Sequence, residues 1–157
     1  RSLVGSEMCI RDSLRAMQQL AAAGIPVSVL VAPVIPALND DEIEQVLEAA
    51  AIAGASEAAY IFLRLPHEVK DIFTEWLQLH FPDRATRVMG LVREASGGRD
   101  YDNRFGIRQT GRGPYADMLG KRFRAACRRF GLETGRRETR LDCSRFDPPG
   151  QQQLGLF

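Results

Sequence analysis

Apolar residues recur along the chain at two different periods, and the switches between them mark out the elements. In residues 14–23 the positions Leu14, Met17, Leu20 and Ala21 fall at helical spacing, and Gly24 stands where a left-handed residue would close the helix. Pro26 follows the stop. Residues 27–35 then form an almost unbroken Val/Leu/Ile run, the pattern of a strand buried on both faces of a parallel sheet. Asn39 stands as a helix N-cap, and Asp40, Asp41 and Glu42 place negative charge in the first turn. Ile43, Val46, Leu47 and Ala50 continue the stripe and predict a helix to about Ala53. Gly54 closes it, and residues 58–65 read as a second buried strand. Strand, helix and strand with short connections predict a right-handed crossover and parallel pairing.

Pro66 suits the first turn of a further helix whose Val69, Ile72, Phe73, Trp76 and Leu77 form one stripe, so Phe73 and Trp76 are expected in the core. A helix after Phe81-Pro82-Asp83 turns Ala85, Val88, Met89 and Val92 inward and ends near Ser96-Gly97-Gly98. Residues 99–114 are rich in Gly and Arg without periodicity and read as a long surface loop. Helix returns at Tyr115, with Met118, Leu119, Phe123, Ala126 and Cys127 on one face and Lys121, Arg122, Arg124, Arg128 and Arg129 around the rest. Beyond Gly131, polar residues, Pro148-Pro149-Gly150 and three glutamines offer too little apolar surface to offset chain entropy, which predicts a flexible tail.

Composition adds limits. A chain of 157 residues with 45% hydrophobic and 26% charged residues can build one core. Its most apolar segment, residues 25–38, is interrupted by Pro26, Pro33 and Pro36, which excludes a membrane span there. The net charge of +1 hides an asymmetry. Residues 14–98 hold 6 Lys/Arg against 11 Asp/Glu, and residues 99–145 hold 13 against 6. The basic block is either an electrostatic footprint for phosphate or a solvated face with a tail. Cys9, Cys127 and Cys143 show no paired spacing, so neither a disulfide framework nor a zinc site can be read from them, and a reducing cytoplasm is expected.

The first residues carry a different signal. Residues 3–13 resemble one reading frame of a common transposase sequencing adapter, which accounts for Glu7 to Asp12 in particular. Native sequence is therefore expected to start near Leu14, and Cys9 to carry no function. No basic start leads into an apolar core and cleavage site, so no secretory signal is read.

In parallel α/β folds the reactive groups gather at the carboxyl ends of the strands, and two such ends are visible: residues 32–40 and Leu63-Arg64-Leu65-Pro66. The first, with Pro-Val-Ile-Pro-x-Leu-Asn-Asp, is similar to a late-barrel motif of the spore-photolyase-like radical S-adenosylmethionine (radical SAM) proteins. Leu63-Arg64-Leu65-Pro66, His80-Phe81-Pro82-Asp83-Arg84, Tyr101-Asp102-Asn103-Arg104-Phe105-Gly106 and Gly113-Pro114-Tyr115-Ala116 continue the resemblance, which covers residues 14–157. Ala37 departs from it, standing where the motif usually has glycine.

The resemblance implies an α/β fold: the C-terminal portion of a partial (β/α) TIM-like radical SAM barrel over residues 14–97, an α-helical extension with its basic loop over 98–130, and a flexible tail over 131–157. It also implies a [4Fe-4S] cluster and S-adenosylmethionine in an intact parent, together yielding a deoxyadenosyl radical for hydrogen abstraction. No Cys-x3-Cys-x2-Cys motif is present here, so the cluster ligands are expected upstream and this fragment alone is expected to be inactive.

Site expectations follow. By position Val34, Ile35 and Pro36 resemble residues that pack on the adenine side of the cofactor, the alternative being the plain end of a buried strand. Arg64 closes an apolar strand and needs an anion, whether a cofactor carboxylate, a substrate phosphate or a structural carboxylate. Tyr101, Arg104, Arg108 and Tyr115 mix cations with aromatic rings suited to phosphates and unstacked bases, and the resemblance, to a family best known for nucleic-acid repair, implies nucleic acid as the substrate. His67 and His80 read as structural. Gln153, Leu154, Leu156 and Phe157 resemble the short peptide by which bacterial replication and repair proteins dock on the sliding clamp, the alternative being a chance apolar chain end. The rival functions are a nucleic-acid or clamp-binding module on a barrel scaffold, and a non-radical barrel enzyme.

Overall fold

The computed structural model describes residues 4–98 and 109–134, with side chains from residue 10 onward. The expected contacts Tyr101, Arg104 and Arg108, and the terminal peptide of Gln153, Leu154, Leu156 and Phe157, lie outside the described residues.

The described residues form, in chain order, α1 (Val4–Ala22), β1 (Ser28–Val34), α2 (Ile43–Ile52), β2 (Glu57–Phe62), α3 (Val69–His80), α4 (Pro82–Ala95), α5 (Pro114–Phe130) and β3 (Glu133–Thr134). A 3-10 turn, Asp40–Glu42, leads into α2. The sheet runs β1-β2-β3 with every pair parallel. The protein is thus a mixed α/β fold on a small parallel sheet, and α2 is the crossover that the strand-helix-strand pattern predicts.

Alternation along the strands decides which side is buried. Val29 pairs with Ala58, Val31 with Tyr60 and Val34 with Phe62, a register irregularity between Val31 and Val34 keeping Val34 on the same face. That face packs against the helices: the Tyr60 and Phe123 rings lie 4.7 Å apart, and Val34, Ile43, Leu47, Ala58, Phe62 and Leu119 share one core. On the other face Ser28, Leu30, Ala32 and Ala59 are exposed, Leu30 by 57%. The unbroken apolar run of β1 therefore does not mean burial on both faces here. One face is covered by helices and the other is open among the described residues.

α1 begins ten residues before Leu14 and runs without a break through the adapter-like stretch. Leu14, Met17 and Ala21 form its half-buried stripe, while Leu20 is exposed. Gly24 takes φ +75°, the left-handed closure that the sequence predicts. Close approach of α1 to α2 depends on Gly54, where a Cβ would stand 2.6 Å from that of Ala21.

Three expectations change. Pro66 is not in a helix: its carbonyl accepts from the Val69 amide at 3.0 Å, and α3 starts only after this turn. On α3 Leu77 is buried and Phe73 half-buried, but Trp76 is 39% exposed and stacks laterally on Phe73, His80 and Phe81. α5, expected as an extension, supplies Ala116, Leu119, Phe123, Ala126 and Cys127 to the common core. Its left-handed cap Gly131 turns the chain back into the sheet as β3, within the stretch where a flexible tail was expected to begin. No described helix is long and apolar enough to cross a membrane.

Candidate functional site

The loop after β1 is built by one side chain. Asn39 accepts from the Ile35 amide through Oδ1 at 2.7 Å and donates from Nδ2 to the Pro33 carbonyl at 3.2 Å. It makes no cap hydrogen bond to the turn that follows it, so the N-cap expected at this position is instead a clasp on the preceding loop. The Leu38 and Asn39 amides both donate to the Ile35 carbonyl, and the Val34 carbonyl accepts from Leu63 at 2.9 Å. At the crest Ala37 takes φ +56°, a left-handed conformation that favours the glycine of the resembling motif.

Tyr115, from the first turn of α5, closes this loop from above. Its Oη accepts from the Ala37 amide at 3.2 Å and donates to Asp40 Oδ2 at 2.7 Å. Burial, reinforced by the hydrogen bond to Asp40, pushes the phenol up to about 12. Two turns on, Arg122 grips Glu44 through Nε and Nη2, both at 2.5 Å, and its Nη1 lies 3.8 Å from Asp40. That bidentate fork holds the Glu44 carboxyl below its ordinary value and raises the guanidinium in turn. One face of α5 is thereby fastened to the carboxyl end of β1.

Beside the network lies an open cleft of about 280 Å³ lined by Ala37, Asp40, Asp41, Arg84 and Arg87. It joins the loop after β1 to the first two turns of α4.

The expected site residues divide. Val34 and Pro36 are fully buried and Ile35 is half-buried, while the Pro33, Val34 and Ile35 carbonyls are all engaged within the protein. This strand end leaves the half-buried Ile35, Ala37 and Leu38 accessible. Arg64 is half-buried just beyond β2 and has a partner there. Tyr115 sits at the strand ends, but its hydroxyl is engaged by Asp40 and Ala37. His67 and His80 are exposed. Cys127 is buried in the core and burial pushes its thiol up, the opposite of what a thiolate cluster ligand requires. Among the described residues no group of His, Cys, Asp or Glu could hold a metal ion. No chemical step is therefore routed through a cluster or S-adenosylmethionine on the described residues.

Glu44 and Arg87 carry no expectation from sequence, Arg122 stands there only among the cations on the polar side of its helix, and Asp40 and Asp41 as first-turn acids, Asp40 also ending the strand-end motif. The one available signal was the Arg84/Arg87 spacing of three on the polar side of α4. No family model, no curated protein and no solved structure matches the chain.

Proposed function

We propose that this chain forms the late-barrel wall and adjoining helices of a radical S-adenosylmethionine enzyme of the spore-photolyase-like type, acting on nucleic acid. Its contribution is scaffold and substrate guidance, with the cluster held elsewhere in the parent. One observation carries the reading: four sequence segments that bear the resemblance, separated by up to about 80 residues, gather at one edge of the parallel sheet. The loop after β1 meets Tyr115 of the Gly113-Pro114-Tyr115-Ala116 segment through Ala37 and Asp40. It meets Leu63 of the second strand end through Val34, and Arg84 of the His80-to-Arg84 segment across the cleft. In parallel α/β folds this edge is where ligands bind.

The residues described here hold that edge in place. Asn39 fixes the loop, Tyr115 clamps its crest, and the Arg122–Glu44 pair sets α5 against α2. The test is to recover the gene with its upstream sequence, express it anaerobically, and record iron-sulfur absorbance together with cleavage of S-adenosylmethionine. A brown protein that releases deoxyadenosine is the expected result. A colourless protein without a three-cysteine motif would overturn the proposal and leave a binding module on an α/β scaffold in its place.

A further inference from the structure

The cleft carries a charge pattern that the fold itself does not use. Asp40 is satisfied, because Tyr115 donates to it at 2.7 Å and the Arg122 guanidinium lies 3.8 Å away. Arg84, Arg87 and Asp41 are exposed, and none of them forms an ion pair with any described residue. Two guanidiniums therefore stand on one wall and one free carboxylate on the other. Arg84 occupies the first turn of α4, where the helix macrodipole disfavours a cation, and Arg87 follows one turn on.

Their spacing limits the ligand. Residues three apart on a helix have Cβ atoms about 5–6 Å apart, so both guanidiniums can converge on one tetrahedral anion. A phosphate, with more oxygens than a carboxylate and up to two negative charges, matches two guanidinium forks best. Asp41 on the facing wall takes a hydrogen-bond donor from the same ligand, an amino group or a hydroxyl. The volume of about 280 Å³ lies at the small end of ligand clefts, which run from roughly 300 to 1,000 Å³.

The geometry points to a binding site for a phosphorylated ligand bearing an amino group: one nucleotide unit, its phosphate on Arg84 and Arg87 and the amino edge of its base toward Asp41. Cytosine is the simplest such base, since its amino group donates to a carboxylate where uracil presents an acceptor. The inference rests on the cleft alone and stands apart from the radical chemistry proposed above.

The test uses the full 157-residue chain and isothermal titration. Cytidine monophosphate should bind saturably, with cytidine and inorganic phosphate each markedly weaker. Arg84→Gln and Arg87→Gln should each weaken cytidine monophosphate by about tenfold or more, the loss expected for one charge-assisted contact. Asp41→Asn should erase the preference for cytidine over uridine monophosphate while keeping the dependence on phosphate. All three positions are exposed, so thermal melting of the variants should match that of the parent chain. A cytosine trinucleotide that binds at least as well as the monophosphate assigns the site to a strand, and binding of the monophosphate alone assigns it to a free nucleotide. Absence of saturation at millimolar ligand, or glutamine variants that bind as the parent does, would sink the site. A negative result here leaves the cluster assay on the intact parent unaffected.

Discussion

The Tyr115 hydroxyl joins two half-buried groups, the Ala37 amide and the Asp40 carboxylate, the second of which also has the Arg122 guanidinium 3.8 Å away. Tyr115→Phe keeps the ring and removes both bonds, so it should lower stability by about 1–2 kcal/mol, read as a shifted urea midpoint. The same hydroxyl makes stability depend on alkaline pH with a definite sign. An unfolded tyrosine releases its proton near 10, whereas Tyr115 in the folded protein holds it to about 12. Between those values the unfolded chain binds fewer protons, and stability falls as pH rises. Below pH 10 the contribution is fully present. Tyr60, also raised by burial, adds in the same direction, so urea midpoints from pH 9 to 12 should fall less steeply in Tyr115→Phe without becoming flat. An equal slope in the two proteins would mean that the hydroxyl is not engaged as described.

At the scale of elements, α3 shows what a periodic stripe can and cannot predict. Val69, Ile72, Phe73, Trp76 and Leu77 are correctly spaced for a helix, yet only Leu77 is fully buried, because the stripe is wider than the surface available to cover it. Leu77→Ala should therefore cost about 2–5 kcal/mol and Trp76→Ala far less, a contrast that thermal or urea unfolding measures directly. Near-equal losses would show that the aromatic cluster on Phe73, His80 and Phe81 is itself part of the core. Existence and type were legible for β1 and β2 from their apolar runs and for α2, α4 and α5 from their periods, whereas the two-residue β3 fell in the stretch read as a tail. The edges of elements were less so. Pro66 is compatible with a helix start, but the turn that its carbonyl closes becomes visible only in three dimensions. Asn39 has the identity of a cap, and whether its side chain reaches forward or back depends on the loop behind it. The candidate site was half legible for the same reason: the motif loops could be named, but the Arg122–Glu44 fork spans 78 residues and leaves no local trace.

At the scale of the whole molecule, the decisive asymmetry is a sheet that, among the described residues, has helices on one side only. Among the described residues nothing pairs with the outer edge of β1, and that strand carries no lysine or other charge to discourage pairing. Pro33 removes one amide donor near its end and leaves the rest of the edge intact. The open face adds Leu30, exposed by 57%, to an edge already competent for hydrogen bonding. The chain should accordingly self-associate as its concentration rises, visible as an increasing weight-average mass in sedimentation. Leu30→Lys should suppress that association with little change in the unfolding midpoint, because the side chain it replaces is already mostly in water. If the radical-enzyme reading holds, further barrel strands in the parent would cover this same edge and face, so the extended protein should remain monomeric where the 157-residue chain does not. A chain that stays monomeric across the concentration range would instead mean that the open side is sealed from within, by residues beyond those described.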